Sequence, residues 1–339
     1  MSLIYINDPS KISENDWNDF VTGHPQGNIF QLPEMYHIYE KSENYDPIFI
    51  GCLSEKGEIR GLLISAIFSE KKGIWKKLSA RSLVLGGPIL YDEVPVSDFL
   101  KYYEITLAGR VLYTRLIKVL NSYKLDDSFI TAGYKYNDHL NYIIDLTSGE
   151  NDIWNEISNT RRRQIKRGYR RGISVKICSS IENVEELYKL LKGTYDRAGL
   201  PLQDISFFSS VQNGFSHKGK IAYFLAYEGE RLIGCRIVLL DGDTVRDWFA
   251  GDLPEARDKY TNDVLVWEVL KWSKQHNYKE FDFGGAGEPD KEYGVREFKK
   301  KFGGKLISQG NFMKIHLAFR YFILQKCLPV YKYLKKRTV

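Results

Sequence analysis

Two stretches of the chain, PIFIGCLSEKGEIRGLLISAIF from Pro47 and AYFLAYEGERLIGCRIVLLDG from Ala222, follow one plan. Each runs strand, acidic glycine turn, basic residue, apolar residue or pair, glycine, strand, which is a hairpin pattern. They lie about 175 residues apart, a domain-sized period that indicates duplication of a whole unit rather than a solenoid. A chain of 339 residues is long for one core and suits two domains of ordinary size.

The surrounding pattern supplies further elements. In the first half, residues 14–42 read as a helix in two pieces broken around Gly23 to Gly27. Leu83 to Tyr91 reads as a strand bent at its glycines, and Asn141 to Leu146 as another strand. Asp98 to about Tyr123 reads as one helix, with Leu100, Tyr103, Leu107, Val111 and Leu116 on a broad face. In the second half, Trp154 to Arg171 is a basic helix, Ser174 to Cys178 a strand and Val184 to Ala198 a helix. A third strand after the hairpin ends at Gly251, and a helix from Val264 to His276 follows, capped by Asn262 or Asp263. Strands in meander order with helices between them, twice over, predict two α+β domains, each with a mixed, mainly antiparallel sheet. We place the first at residues 1–150, with 311–339 as a helical segment packing back on it, and the second at 151–310.

Composition narrows the function classes. Apolar residues make up 43% and charged residues 27%, the balance of a soluble globular protein. Net charge is +6, a mild excess that permits a phosphate-bearing or membrane-surface partner without demanding one. The four cysteines are far apart and form no CxxC pair, and the histidines show no HExxH or paired spacing. We therefore expect reduced thiols in a cytoplasmic protein and no metal site. The N-terminus has no signal-peptide pattern, and no apolar run approaches the roughly 20 residues of a membrane span.

The chemistry concentrates in KEFDFGGAGEPDKEYGVREFKKKFGG, from Lys279 to Gly304. It reads as a short strand, Glu280 to Phe283, then a glycine-rich turn, then a helix. Val295, Phe298 and Phe302 are spaced to form that helix's buried stripe. At about 100° per residue Lys299 falls on the edge of the stripe, with Arg296 further round. A cation at the lip of an apolar face, beside a glycine turn, suits an anionic or carbonyl-bearing ligand; the same residues also read as a solvated basic helix closed by Gly303 and Gly304. Asp282, at the strand end, reads as a proton acceptor, an amine-orienting group or a turn stabiliser. Tyr260 and Tyr293 offer phenols to a substrate while their rings pack. Residues 161–171 hold seven cations in eleven positions and no acid, so a diphosphate, a nucleic-acid backbone or acidic side chains would relieve their repulsion. Arg161 and Arg163 are the members we assign to substrate.

DFGG followed at this distance by YGVREFKKKFGG resembles the second-domain signature of the Fem family, the peptidoglycan-bridge aminoacyltransferases and their acyltransferase relatives. TYDRAGL, from Thr194, resembles the family's T-x-x-R-x-G-L segment, and an Arg-rich entrance to the second domain is also Fem-like. The resemblance implies two tandem acetyltransferase-like (GNAT) domains and transfer of an aminoacyl or acyl group to an amine of a cell-wall precursor. It implies that Arg197 holds the precursor's diphosphate, with Arg296 assisting, while Lys299 stabilises the developing oxyanion. The co-substrate it implies is aminoacyl-tRNA or acyl-CoA. Some members carry a long helical arm, and here only a short segment separates Pro201 from Ile221. The loop by which ordinary GNAT enzymes hold CoA has no match, since RLIGC is followed by Arg236. An N-acyltransferase acting on a sugar or nucleotide-sugar with acyl-CoA is the alternative, and a non-catalytic basic nucleic-acid-binding protein is a third reading. The stretch from Phe312 to Lys336, apolar and basic together, docks on the first domain or lies on the inner face of the membrane.

Overall fold

The computed structural model describes residues 2–69, 79–117, 126–323 and 325–326. The chain divides into two compact units, Met1–Asn137 with Gly310–Val339, and Asp138–Gln309.

The first unit opens with β1 (Leu3–Ile6), α1 (Glu14–Gly23) and α2 (Pro33–Glu40). Ser13 caps α1 by accepting the amide N–H of Asp16, and Pro33 sits at the first turn of α2, where a missing N–H costs nothing. The first of the repeated hairpins is β2 (Tyr45–Ser54) and β3 (Ile59–Phe68). β4 (Arg81–Leu85) and β5 (Ile89–Leu90) flank the glycine bend expected from LVLGGPILY, with Gly86 at φ +64°. The long helix expected from Asp98 to Tyr123 does not form. α3 spans Val96–Leu107 and ends because Ala108 and Gly109 both take left-handed conformations. Leu116 then reaches the core from a strand, β6 (Tyr113–Ile117), and residues 118–123 lie outside the described residues. α4 (Asp126–Thr131) and β7 (Lys135–Asn137) complete this run.

The second unit begins with β8 (Leu140–Asp145), ahead of residue 150, because that strand pairs with strands of the second sheet. Where one basic helix was expected there are two, α5 (Glu150–Glu156) and α6 (Asn159–Arg170), the second capped by Ser158. β9 (Ile173–Cys178), α7 (Val184–Ala198) and a helix the sequence reading omitted, α8 (Ile205–Phe215), lead to the second hairpin. That hairpin is β10 (Ile221–Glu228) and β11 (Arg231–Asp241), continued by β12 (Thr244–Asp252). α9 (Thr261–Gln275) is not capped by Asn262 or Asp263: Tyr260, at φ +62°, takes the cap position and makes no side-chain bond. β13 (Glu280–Gly285), α10 (Gly294–Lys300) and β14 (Lys305–Ser308) follow. The chain then returns to the first unit as β15 (Asn311–Ile315), a strand at the start of the stretch expected to be helical; residues 318–323 are helical, and residues 324 and 327–339 lie outside the described residues.

The first sheet has the order β1-β2-β3-β4-β6-β15-β7, with β5 against β3, and the second the order β14-β8-β13-β12-β11-β10-β9. Each is antiparallel apart from one parallel pair, β4 with β6 and β12 with β13. In the second unit the apolar face of α9, including Val264, Leu265 and Val269, is buried with Phe224, Val238 and Phe281 of the sheet. No helix among the described residues is long and apolar enough to cross a membrane.

Candidate functional site

The second sheet opens at its parallel pair. β12 and β13 are in register only from Thr244 with Glu280 to Arg246 with Asp282. Past that point β12 carries a bulge: Ile237 of β11 faces Phe249 and Val238 faces Asp247, so Trp248 is the extra residue. A one-residue slip changes the face a side chain takes, and the bulge thereby puts Asp247 on the same face as Arg236.

Lys299 occupies this opening. It is 7% exposed and is the buried residue of α10, while Val295, expected in the buried stripe, is 42% exposed. Its Nζ donates to the carbonyls of Phe283 and, at 3.0 Å, Gly285, at the end of β13. The ammonium stands 5.1 Å from the centre of the Phe283 ring. Burial pushes its pKa down to about 8; Arg236 adds to the shift, and Asp247 and Asp282 oppose it. Gly284 sits between these groups at φ +74°: a Cβ there would lie 3.5 Å from the Asp247 carbonyl and 3.7 Å from Lys299 Nζ.

Arg236 and Asp247 form the second layer of charge. Arg236, 3% exposed, donates through Nη1 to Asp247 Oδ2 and through Nη2 to Asn262 Oδ1 at 2.6 Å. Its guanidinium lies 5.7 Å from the same Phe283 ring. Tyr195 of α7 is near enough to Asp247 that the carboxylate adds to burial in raising its phenol, which stays protonated. Neither Arg236 nor Asp247 was assigned a role from sequence. The available signal was a lone arginine inside the apolar run GCRIVLL.

The sequence-assigned residues separate into those at this opening and those committed elsewhere. Asp282 receives Arg246 Nη1 at 2.8 Å, Asn141 Nδ2 at 2.8 Å and the Gly284 N–H at 2.9 Å, so both its oxygens are occupied in fixing the turn. Arg296 donates Nε to the Ala286 carbonyl at 2.8 Å, Nη1 to Pro289 at 3.1 Å and Nη2 to Glu288, so it clamps the glycine turn. Tyr293, the residue before α10, lies against Gly287, where a Cβ would meet its ring at 2.9 Å. It is also close enough to Tyr195 to influence it.

Arg197 uses one nitrogen, Nη2, on Thr194 Oγ1 at 3.0 Å and on the Asp252 carbonyl and carboxylate. Arg161 pairs with Asp263 Oδ1 at 2.8 Å and stacks 4.4 Å over Phe298. Tyr260 carries the Arg171 guanidinium 5.3 Å over its ring. Arg163 is exposed, and with Lys166, Arg167 and Arg170 it forms one face of α6 at i, i+3, i+4, i+7. These four make no ion pair among the described residues.

Comparison with known proteins shows what this chain is similar to. The model of the acetyltransferase (GNAT) domain matches residues 157–299, which include α7, the hairpin, β12 and Lys299. A curated relative, UDP-N-acetylmuramoylpentapeptide-lysine N(6)-alanyltransferase of Weissella viridescens, is 20% identical over 323 residues, covering 89% of this chain and 92% of its own. The crystal structure of FemX superposes with a TM-score of 0.67 at 16% identity, covering 96% of this chain and 100% of that one. Along nearly its whole length the chain is similar to Fem transferases, and residues 157–299 match the acetyltransferase (GNAT) domain. A tandem GNAT protein from the clavulanic acid pathway shares the fold at TM-score 0.58 and 10% identity, covering 93% of this Fem-like chain and 98% of its own. Two GNAT-like units in tandem, each a mixed sheet flanked by helices, are thus the architecture: the two α+β units were expected from the repeat, and their GNAT fold from the resemblance.

Proposed function

We propose that the Fem-like chain transfers an aminoacyl group from an ester on tRNA to an amine of a peptidoglycan precursor, in the cytoplasm at the inner face of the membrane. The observation that carries this reading is the buried Lys299 ammonium. An ammonium has three donors, and two are fixed on the Phe283 and Gly285 carbonyls. The third is left for a carbonyl oxygen that gains charge as the amine attacks. A donor fixed in advance in a water-poor site stabilises that oxyanion without reorganising. The acceptor ammonium first gives one proton to solvent; its nitrogen lone pair then bonds to the acyl carbon, the ester C–O bond breaks, and a second N–H proton leaves with the departing hydroxyl. No covalent enzyme intermediate is needed.

Arg197 spends Nη2 on Thr194 and Asp252; its Nε and Nη1, which have no hydrogen-bond partner among the described residues, are the separate donors with which it takes the precursor's phosphates. The exposed stripe of α6 takes the RNA backbone, whose charge it complements. The relative's name supplies the probe, a UDP-N-acetylmuramoyl-pentapeptide containing lysine. The purified chain is incubated with this acceptor and either a pool of charged tRNAs or acetyl-CoA, and products are read by mass spectrometry. An aminoacyl mass increment from the tRNA arm is expected. An acetyl increment from the CoA arm alone, or none from either, overturns the reading.

A further inference from the structure

We propose that Asp247 receives the ammonium group of the acceptor and makes the second unit selective for a cationic amine. This rests on the amine-acceptor reading above and assigns its recognition to one carboxylate. The Asp247 side chain is 11% exposed, and its Oδ2 is taken by Arg236. Its Oδ1 is buried and has no hydrogen-bond partner among the described residues. A buried charged acceptor left without a donor is costly, so such an atom calls for an explanation.

The pair is not loose, because Asn262 holds Arg236 from the other side at 2.6 Å. Nor is the second acid of the opening available, since both oxygens of Asp282 are occupied by Arg246, Asn141 and the Gly284 N–H. Asp247 is therefore the carboxylate here with spare accepting capacity, and a donor group is what it lacks. No cluster of three His, Cys, Asp or Glu side chains exists among the described residues, so a metal ion has no ligand set at this oxygen. A cationic amine supplies both the N–H and the charge. The location fits transfer: a Cβ on Gly284 would lie in van der Waals reach of both the Asp247 carbonyl and Lys299 Nζ, and the Asp247 carboxylate is near enough to Lys299 to oppose the fall in its pKa. An amine held at Oδ1 is beside the ammonium that meets the acyl oxygen.

The test is binding of the UDP-N-acetylmuramoyl-pentapeptide with its lysine side chain free or N6-acetylated, titrated calorimetrically into the full chain. A hydrogen bond to a charged group is worth about 1.5–3 kcal/mol, so the wild type should prefer the free amine by roughly 10- to 100-fold. Asp247→Asn, near-isosteric, should bring the two ligands to similar affinity, and Asp247→Glu should restore part of the preference. Equal binding of both ligands by the wild type overturns the inference while leaving the acceptor reading intact. So does a preference that survives in Asp247→Asn. Binding of neither ligand means that the acceptor reading itself fails, and this inference with it. If Asp247→Asn does not fold, Asp247→Ser carries the same comparison, and the wild-type comparison stands without any variant.

Discussion

Lys299 is the residue on which pH and activity meet. Its pKa, about 8 in the folded chain, is below the ordinary lysine value of 10.5. On the proposed role of Lys299 the working form is the ammonium, so kcat/KM should fall as pH rises through about 8, a limb that Lys299→Arg removes. Stability carries the opposite sign. Below about 8 both folded and unfolded chains hold the proton, and the folded chain bears the cost of a buried charge. Between about 8 and 10.5 the unfolded chain binds more protons, so stability rises with pH. Lys299→Met should therefore lose about 10²–10³ in kcat, the usual effect of one oxyanion donor, while its melting temperature at pH 7 is held or raised. A large fall in melting temperature would mean that the lysine is structural. The sequence made Lys299 visible because the motif around it is contiguous. It hid Asp247 and Arg236, whose partnership depends on a bulge at Trp248 that no local pattern announces.

At the scale of one element, α6 shows why a run of seven cations is ambiguous until it is wound. Winding sends Arg161 inward to Asp263 and over Phe298, and sends Arg163, Lys166, Arg167 and Arg170 to the opposite, solvated side. Arg161, assigned to substrate from sequence, instead ties α6 to α9. Burial raises the pKa of Asp263 and Arg161 opposes it, the signature of an acid that depends on its cation. Arg161→Met leaves that acid buried and unpaired and should cost about 3–5 kcal/mol, read by chemical denaturation. Adding Asp263→Leu should recover most of the loss. Arg163→Glu with Arg167→Glu should change stability by no more than about 0.5 kcal/mol each. If RNA lies on this face, the same pair should raise the donor KM and flatten its dependence on salt. An unchanged salt slope would remove α6 from the donor site.

At the scale of the whole chain, the two sheets correspond strand for strand. The order β1-β2-β3-β4-β6-β15-β7 matches β9-β10-β11-β12-β13-β8-β14, with the parallel pair at the same place in each. The duplicated hairpins were legible because they are long, alternating and local. The sixth place was not: β8 was read as a strand but counted with the first half, and β15, which follows the second unit and returns to the first, was not read as a strand. Pairings across such separations leave no trace in local periodicity, and β14 and β15 are four and five residues long. The consequence is an asymmetry in folding. The second unit is one uninterrupted segment, Asp138–Gln309, that contains every strand of its sheet. The first needs β15 between β6 and β7, where Phe312 is fully buried against Phe129 at a ring distance of 4.9 Å. Expressed alone, residues 138–309 should unfold in one cooperative transition, whereas residues 1–137 should not, because β6 and β7 have lost the strand that joins them. Phe312→Ala in the full chain should destabilise the first unit by about 3–5 kcal/mol and leave the transition of the second unchanged. Cooperative unfolding of 1–137 by itself would show that β15 is an accessory to that sheet and not part of its core.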